Sequence, residues 1–583
     1  MATFRLDLIG RYLKPHRRTV LMGALALVVV NVLSVIIPLE VKRIIDDLQE
    51  GFAITEVLHQ AGWIVVLASG MAIVRLVSRQ LVFGVGRQVE VELRQQMFDH
   101  MLKQETSWVQ ETGSGEVISR ATSDVENIRR LLGFAILSLT NTVLAYCFTF
   151  PVMLAIDPML TLAAISLYPI MLGTVRLFGG RMMRQQKRQQ EALSSLSELI
   201  QEDLSGIGAI KIYGQEQPEQ EAFSQRNNSY RDSAIRLART RSTLFPLLGG
   251  ISSISLLLLL AIGSDQLQRG SLTIGGLVAL IIFVERLVFP TALLGFTLNT
   301  FQIGQVSLER VEELLKRVPI IGNPATPSNL ESPLQGRIEA HELRIRYDNS
   351  NRDTLAGLSF VIEPGELVAV VGPVGCGKTT LARALGRMVE VPRGQLFIDN
   401  HDVNDLLLND LRSSVALVPQ EGYLFTNSLA DNLRYGDPQA SMERVETAAE
   451  QARLMDDVRG FPDGFDTLVG ERGITLSGGQ RQRTALGRAL LVTAPVLVLD
   501  DALASVDNKT AAAILSSIRS QQSRTILMIS HQLSAAAACD RILVMEQGRL
   551  VQQGHHTDLL NIQGLYRRLW EREQANEHLE AVA

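Results

Sequence analysis

Residues 372–379, GPVGCGKT, combine the residue types that hold phosphate groups. They fit the pattern G-x-x-x-x-G-K-[ST] and follow an apolar run at residues 367–371 that predicts a buried strand. Glycines let such a loop turn tightly and point its N–H groups inward, and the start of the next helix adds a positive end. We therefore predict a polyphosphate-binding loop in which Lys378 meets the β and γ phosphates and Thr379 offers a hydroxyl to Mg²⁺. The residues predicted to contact the nucleotide here are Gly372, Pro373, Val374, Gly375, Cys376, Gly377, Lys378, Thr379 and Thr380.

Two carboxylates follow another apolar run, at residues 496–499. Asp500 and Asp501 stand where a strand would end, and in a parallel sheet that edge also carries the phosphate loop. Asp500 is predicted to bind Mg²⁺, directly or through water, together with Thr379. Asp501 is predicted to polarise the water that attacks the γ-phosphate of ATP.

A second phosphate-type sequence, LSGGQ at residues 476–480, opens a helical stretch. A serine and paired glycines at a helix start also suit a phosphate group. The phosphate loop and the LSGGQ segment of one chain cannot both bind the same face of one nucleotide. The residues predicted to contact nucleotide from this second cradle are Ser477, Gly478, Gly479 and Gln480.

The apolar residues that must position this chemistry are unevenly distributed. Of 583 residues, 46% are apolar and 20% are charged, below the ~25% of soluble domains, and the apolar excess lies before residue 305. This concentration indicates a membrane region, and a net charge of −5 gives no support for nucleic-acid binding. Cys147, Cys376 and Cys539 are too scattered for a disulfide framework or a metal cluster, so reduced thiols are predicted. We expect Cys376 to be accessible to a maleimide and shielded by ATP.

Six apolar segments reach the ~20 residues that cross a ~30 Å hydrocarbon layer. They lie at residues 20–39, 60–82, 131–156, 158–178, 244–262 and 272–298. The distribution of basic residues around them places both termini on the cytoplasmic side of the plasma (inner) membrane. Before the first segment, basic and apolar residues interleave from Phe4 to Pro15, which predicts an amphipathic helix at the cytoplasmic interface, with a disordered basic tail as the alternative.

Two internal connections, residues 83–130 and 179–243, are long and rich in helix-forming residues. We predict that the membrane helices continue into the cytoplasm and turn there near residues 113–115 and 206–214, where glycines occur. Asp157 alone separates the third span from the fourth.

Charged residues within the spans call for an explanation, because a charge at the centre of a span costs about 2.5 to 3.5 kcal/mol on insertion scales. Glu285 lies near the middle of the sixth segment and is expected either to line a watery cavity or to pair with another span. Arg286 lies about 100° away around the helix, which argues against a simple pair with its neighbour. Arg75 also falls in an apolar segment, and Arg176 is expected to reach the interface.

Helical periodicity stops at residues 319–335, where prolines, glycines and asparagines accumulate. Beyond this linker, apolar runs at residues 367–371, 414–418, 496–499 and 525–529 predict parallel strands covered on both faces. The predicted fold is an all-α six-helix transmembrane domain followed by an α/β P-loop nucleotide-binding domain. Its predicted parts are a membrane domain at residues 1–318, the linker at 319–335, the nucleotide-binding domain at 336–571 and a tail at 572–583.

Taken together, these motifs resemble the ABC exporters. LSGGQ is the signature of ABC ATPases, and GEVISRATSDV at 115–125 and GIGAIKIYGQE at 206–216 are similar to the stretches that flank exporter coupling helices. The resemblance further implies a set of site residues named by role. They are Tyr347 stacking on adenine, Gln420 sensing Mg²⁺ and coupling the domains, His531 as the switch histidine, VGERG at 469–473 as the cross-contact loop and SVD at 505–507 as the inter-subunit loop.

The same resemblance implies an ATPase coupled to transport, with ATP and Mg²⁺ as cofactors. In this family the phosphate loop of one subunit closes ATP against the LSGGQ of another, so the chain resembles a half-transporter that must dimerise. Export by alternating access is expected, and a small molecule, a lipid and a peptide all remain open as cargo. The alternative is an ATP-gated channel or regulator in which binding alone is the signal.

One residue departs from the family pattern. ABC ATPases usually carry glutamate after the aspartate that binds Mg²⁺, whereas this chain carries Asp501, one methylene shorter. A displacement of about 1 Å at a reacting centre can cost roughly 10²-fold in rate. The resemblance therefore favours a heterodimer whose partner carries the complete glutamate, and it leaves a competent homodimer open.

Overall fold

The computed structural model of the chain describes residues 6–50, 54–328, 330, 333–347, 350–506, 508–519 and 524–582. The chain divides into two compact units. The first contains Met1–Leu102 and Thr112–Arg317, and the second contains Lys103–Glu111 and Val318–Ala583. The fold class predicted from the sequence, six membrane helices followed by an α/β domain, is confirmed.

The first unit is helical. Its helices, together with α4 of the second unit, are α1 (Leu6–Leu13), α2 (Arg17–Glu50), α3 (Ile54–Met101), α4 (Thr106–Thr112), α5 (Ser114–Ser119), α6 (Val125–Arg130), α7 (Ile136–Ile156), α8 (Pro158–Ile165), α9 (Tyr168–Ser205), α10 (Ile207–Tyr213), α11 (Glu216–Gln268) and α12 (Ile274–Lys316). Two π-helical segments, Arg120–Asp124 and Leu131–Ala135, join α5, α6 and α7 into one long helix.

Among the described residues, six helices are long and apolar enough to cross a membrane. They run over Arg17–Leu48, Ile54–Met101, Ser114–Ile156, Pro158–Ser205, Glu216–Gln268 and Ile274–Lys316. Each predicted span falls within one of them, except that the last helix begins at Ile274 because the Thr273 side chain caps it. Asp157 separates the third span from the fourth as predicted, and its side chain caps α8 through the Leu160 N–H at 2.7 Å.

A short helix lies just before the first predicted cytoplasmic turn, and another lies within the second. The first, α4, is followed by Gly113, whose φ of 77° is available to glycine at little cost. The second, α10, lies between Gly206 and Gly214, and Gly214 ends it with φ 60°. The long helices on either side of each turn extend well past the apolar segments, as the sequence predicted.

The predicted amphipathic helix before the first span is α1. Its side chains Leu8 and Ile9 are buried against the protein, so this part of the apolar face is covered by protein. On the same face, the Tyr12 hydroxyl donates to Glu312 Oε1 at 2.7 Å, and burial with the nearby carboxylate raises the pKa of Tyr12. The helix ends at Leu13, two residues before Pro15. Phe4 lies outside the described residues.

The second unit is an α/β domain. Its strands are β1 (Ile338–Ile345), β2 (Leu355–Ile362), β3 (Leu367–Val371), β4 (Leu396–Ile398), β5 (His401–Asp402), β6 (Val415–Val418), β7 (Val496–Asp500), β8 (Thr525–Ile529), β9 (Arg541–Glu546) and β10 (Arg549–Gly554). Its remaining helices are α13 (Lys378–Leu385), α14 (Leu408–Ser414), α15 (Leu429–Arg434), α16 (Met442–Gln451), α17 (Met455–Gly460), α18 (Gly478–Leu491), α19 (Asn508–Arg519), α20 (Leu533–Ala536), α21 (His556–Asn561) and α22 (Leu565–Val582).

Two sheets organise this unit. Strands β2, β1, β4 and β5 form an antiparallel sheet, and a six-stranded sheet has the order β10-β9-β3-β8-β7-β6. The four predicted parallel strands are the neighbouring strands β3, β8, β7 and β6, with β6 at one edge of this sheet and boundaries shifted by one residue in β6 and β7.

Strand β3 shows why these strands are apolar on both faces. Leu367, Ala369 and Val371 pack into a core that includes α18. Val368 and Val370 pack into a different core, with residues of the antiparallel sheet. A strand between two cores needs an unbroken apolar run, and its carboxyl end delivers Gly372 to the edge of the sheet.

Candidate nucleotide site

The phosphate loop joins the end of β3 to the start of α13. Gly375 and Gly377 have φ of 80° and 102°, values that only glycine adopts readily. Gly377 is also sterically required, since a Cβ there would lie 2.6 Å from the carbonyl oxygen of Thr354. Val374, at the tip of the loop, is 88% exposed. This geometry leaves the loop tip open on the side where a polyphosphate would bind.

The Lys378 side chain lies over the loop and is buried, with 6% of its surface exposed. Its ammonium donates to the carbonyl oxygens of Gly372 at 2.7 Å and Pro373 at 3.0 Å. These two carbonyls hold the positive charge at the loop, where it can meet a phosphate oxygen.

Cys376 lies inside the loop and is only 4% exposed. Burial raises the pKa of its thiol, although the Lys378 ammonium, 3.8 Å from the sulfur, acts in the opposite direction. The expectation of an accessible Cys376 thiol is therefore wrong for this structure, because the backbone turn directs the side chain inward.

Thr379 and Asp500 come together although they are 121 residues apart in the chain. The Thr379 hydroxyl donates to Asp500 Oδ1 at 3.1 Å. Asp500 is 4% exposed, and burial raises the pKa of its carboxyl, as does the neighbouring Asp501 charge, while the Thr379 hydrogen bond lowers it. A hydroxyl beside a buried carboxylate, with a second carboxylate next to it, is a donor set that fits Mg²⁺.

Asp501 directly follows β7 and has a left-handed backbone, with φ 51°. Its N–H donates to the Ile529 carbonyl oxygen at 2.9 Å, which fixes this conformation. The side chain is 8% exposed and has two long contacts, from Gln420 Nε2 at 3.5 Å and from the His531 backbone N–H at 3.4 Å. The carboxylate thus stands between Gln420 and the end of β8, at the limit of hydrogen-bond distance from both.

The other residues predicted on this side are also near the loop. The Tyr347 hydroxyl lies 3.3 Å from Thr380 Oγ1, which places its ring beside the start of α13. The Gln420 side chain is exposed and reaches Asp501. His531 meets Asp501 through its backbone, while its own side chain is exposed.

The LSGGQ residues lie at the start of α18 and have a different set of contacts. Ser477 and Gln480 form a capping box, in which the Ser477 hydroxyl accepts from the Gln480 N–H at 3.3 Å and Gln480 Oε1 accepts from the Ser477 N–H at 2.9 Å. Gln480 Nε2 also donates to Asp457 at 3.0 Å. Ser477 and Gly478 are exposed, and the described hydrogen bonds of this segment do not include the phosphate loop.

Two residues, Asp457 and Ser505, make contacts with the LSGGQ helix that were not expected from the sequence. Asp457 accepts from Arg483 at 2.7 Å as well as from Gln480. The Ser505 N–H donates to Gln482 Oε1 at 2.9 Å, and a Cβ on Gly479 would lie 3.0 Å from the Ser505 carbonyl oxygen. The predicted inter-subunit loop therefore begins against the LSGGQ helix. Its residue Asp507 lies outside the described residues.

The predicted cross-contact loop at residues 469–473 is a tight turn before LSGGQ. Gly473 has φ 77°, and its N–H donates to the Gly470 carbonyl oxygen at 2.9 Å. Glu471 is exposed at the tip of the turn. A conformation with an exposed charged tip is compatible with the contact role inferred from the resemblance.

One further contact, inside the second unit, joins the start of α4 to the segment that follows α12. Glu105, which immediately precedes α4, is 8% exposed, and its Oε1 accepts from the backbone N–H groups of Ile320 and of Ile321, the latter at 3.0 Å. The sequence offered no signal for this bond, because it joins residues more than two hundred positions apart.

Comparison with known proteins supports one family throughout. The model of the ABC transporter transmembrane region matches residues 20–291, and the ABC transporter model matches residues 355–504. The multidrug resistance-like ATP-binding protein MdlA of Escherichia coli is 30% identical over 96% of this chain and 95% of its own length. The ATP-dependent lipid A-core flippase of Thiobacillus denitrificans is 30% identical over 96% of each chain.

A solved structure agrees with these relatives. The structure of a bacterial Atm1-family ABC exporter with ATP bound is 27% identical, with a TM-score of 0.78, over 96% of this chain and 98% of that one. The resemblance read from the motifs is therefore confirmed. With its membrane region and ATP-binding domain fused in one polypeptide, the chain belongs to the ABC transporter family, as a multi-pass inner-membrane exporter.

Proposed function

We propose that this chain is a half-transporter that exports its cargo by ATP-driven alternating access within a dimer, with both termini in the cytoplasm. The observation that carries the proposal is the separation of two nucleotide-facing surfaces. Lys378, Thr379 and Asp500 gather at the phosphate loop, while Ser477 is exposed at the start of α18 with its own local contacts. In a dimer, the phosphate-loop surface of one chain can close against the LSGGQ surface of the other chain.

Each residue of the phosphate-loop surface has a proposed task. Tyr347 stacks on the adenine ring, and the residues of the loop hold the phosphates by their N–H groups. Thr379, Asp500 and Gln420 hold Mg²⁺, which when bound neutralises charge on the phosphates. Lys378 moves from its two carbonyl partners to a phosphate oxygen. Asp501, positioned beside His531, orients the attacking water.

The short Asp501 side chain bears on the identity of the second subunit. Both of its described side-chain contacts are long, at 3.4 and 3.5 Å, which is consistent with a carboxylate that stops short of the position a glutamate would reach. A slow site of this kind suits a heterodimer in which the partner contributes the faster site. We therefore propose a heterodimer over a homodimer.

A cysteine cross-link tests the dimer directly. In a chain lacking its three native cysteines, Val374→Cys and Ser477→Cys place thiols at two exposed positions, one on each proposed surface. Mild oxidation of co-expressed single-cysteine chains should give a covalent dimer with ATP present and little without it. The matched control replaces Ser477→Cys by Glu443→Cys, an exposed residue of α16 outside LSGGQ, and should not cross-link.

The outcome separates the two assemblies. An ATP-dependent cross-link between copies of this chain alone would establish a homodimer and overturn the heterodimer. Cross-linking only after a partner half-transporter is supplied would support the heterodimer. If neither mixture cross-links with ATP, the two surfaces do not meet and the dimer mechanism is refuted.

The competing function, an ATP-gated channel, differs in its energetics. A channel lets cargo run down its gradient once ATP binds, whereas an exporter accumulates cargo against the gradient only while ATP is hydrolysed. Proteoliposomes loaded with ATP and a fluorescent amphiphile distinguish the two. Uphill accumulation that stops with a non-hydrolysable ATP analogue supports export, and downhill flux that persists with the analogue supports the channel.

A further inference from the structure

The side chain of Glu573 in α22 binds the backbone just after the predicted switch histidine. Each of its two carboxylate oxygens accepts from the Leu533 N–H at 2.9 Å, and Oε1 also accepts from the Ser534 N–H at 3.4 Å. Leu533 follows His531 by two residues, whereas Glu573 lies 40 positions beyond Leu533. We call these bonds the Glu573 contact, and residues 530–534 the switch segment.

The two N–H groups at this contact have no acceptor on their own helix. They open α20, which spans only Leu533–Ala536, and the first N–H groups of a helix lack an intrahelical partner. Gln532, which precedes the helix, makes no side-chain cap bond to it. Leu533 is 3% exposed, so little water reaches its N–H. Glu573 therefore supplies the acceptor from another helix, and its negative charge suits a helix start.

The position of Glu573 is fixed by the way α22 packs. Tyr566, Trp570 and Glu573 follow one another at spacings of four and three positions, which places them on one face of the helix. Tyr566 is fully buried in the core that contains Leu533, and Trp570 packs against that core. The Tyr566 hydroxyl also lies 2.7 Å from Nδ1 of His556. An anchored helix face thus holds the carboxylate at the switch segment.

The switch segment is also bound on the side of the candidate catalytic carboxylate. The His531 N–H lies 3.4 Å from Asp501 Oδ1, and the Asp501 N–H donates to the Ile529 carbonyl oxygen at 2.9 Å. The described hydrogen bonds hold only the backbone of His531, whose side chain is exposed. The place of the imidazole therefore depends on the backbone bonds around it, to Asp501 on one side and to Glu573 on the other.

We propose that Glu573 is a positioning residue for ATP hydrolysis, which holds the His531 side chain in place from α22 by fixing the backbone that follows it. The role of His531 in hydrolysis rests on the proposed function, whereas the Glu573 contact itself does not. Among the described contacts of Glu573, none reaches Tyr347 or the phosphate loop. Loss of this carboxylate should therefore slow hydrolysis without weakening ATP binding.

Hydrogen exchange of the full chain in nanodiscs measures the contact directly. Glu573→Ala should speed the exchange of the Leu533 and Ser534 amides at least about 10-fold, because their acceptor is lost, while the amides of β3 stay protected. The matched control is Glu571→Ala, two residues earlier on α22. Glu571 is exposed and accepts from Arg567 at 2.7 Å, so its loss should leave exchange in the switch segment unchanged.

ATP turnover measures the positioning role. Glu573→Ala should lower kcat about 10-fold and leave the KM for ATP within about 2-fold, because a displacement of about 1 Å at a reacting centre is costly. Glu573→Gln keeps one acceptor oxygen and should restore most of the rate. In a His531→Ala chain, Glu573→Ala should cause little further loss, because the side chain that it positions is gone.

The assay must report the site of this chain. Where hydrolysis needs a partner half-transporter, the partner's own catalytic glutamate is replaced by glutamine, so that the measured turnover belongs to this chain. A chain that ends at Arg572 gives a second measurement, because it lacks Glu573 but keeps Tyr566 and Trp570 to anchor α22. It should lose as much kcat as Glu573→Ala.

Three results would overturn the proposal. They are unchanged exchange at Leu533 and Ser534 in Glu573→Ala, unchanged kcat in that folded variant, and equal loss of kcat in the Glu573→Ala and Glu571→Ala chains. If His531→Ala slows hydrolysis and Glu573→Ala does not, the positioning role alone fails. If His531→Ala keeps full turnover, the task proposed for His531 is wrong, and positioning through it is refuted as well.

Discussion

Replacing Asp501 tests whether the reach of this carboxylate limits ATP hydrolysis. The Asp501→Glu change adds one methylene, a bond length of about 1.5 Å, toward the Gln420 side, where the present contact is 3.5 Å. If reach is limiting, the turnover of this site should rise up to about 10-fold, equivalent to about 1.4 kcal/mol of barrier. The left-handed backbone at Asp501, φ 51°, opposes the change, because aspartate tolerates this region better than glutamate.

The conformational cost of the left-handed backbone at residue 501 sets the lower bound of the expected gain in turnover. A residue without a short polar side chain costs about 1 kcal/mol in the left-handed region. If that strain is equal in the ground and transition states, it lowers the melting temperature and leaves the full gain in rate. If the strain instead displaces the carboxylate from the position that favours attack, about 0.4 kcal/mol of the expected lowering of the barrier remains. That corresponds to about 2-fold in rate. We therefore expect a gain between about 2-fold and 10-fold, with a lower melting temperature.

Asp501→Asn is the matched variant, because asparagine also tolerates the left-handed region and only the charge is removed. Phosphate release is measured for both variants with the purified chain alone and with the chain co-purified with a partner half-transporter. In a homodimer, Asp501→Asn should reduce the rate about 10²-fold or more, since both sites lose their base. In a heterodimer, the partner's site should preserve most of the activity. Robust activity of the unmodified chain that Asn removes and Glu does not increase would refute the slow-site reasoning and support a competent homodimer.

Two further predictions concern the phosphate loop and the buried thiols. Lys378→Ala should abolish ATP-dependent transport while the protein remains folded. The reason is that the phosphate loop loses the only mobile cation held there by described contacts. Unchanged transport would show that this loop takes no part in the mechanism. Burial raises the pKa of Cys539 to about 12 and also raises that of Cys376, so the reactive thiolate should be scarce at neutral pH. The test uses a Cys147→Ser chain, because the Cys147 thiol is exposed. In that chain maleimide should label Cys376 and Cys539 slowly while the protein is folded, faster as the pH rises and rapidly after unfolding in guanidinium chloride. Fast labelling of this folded chain at pH 7 would contradict the burial seen here.

The sequence by itself determined the features that depend on local patterns. An unbroken apolar run at residues 367–371 predicted a strand buried on both faces, and the glycines and lysine that follow predicted a phosphate loop. Six long apolar segments predicted six membrane helices, and glycines predicted where they turn. Such features can be read directly because periodicity, length and turn chemistry act between residues close together in the chain.

Only the tertiary structure decided which distant residues meet and in what conformation. The Thr379 bond to Asp500, the left-handed backbone of Asp501 and the inward turn of Cys376 depend on how β3, β7 and β8 pair, and no local pattern encodes that pairing. The contact of Arg286 with Asn31 joins residues 255 positions apart, so the sequence revealed a charge in a span but not its partner. The physical reason is that such contacts are selected by the packing of whole helices and strands, which depends on the entire chain.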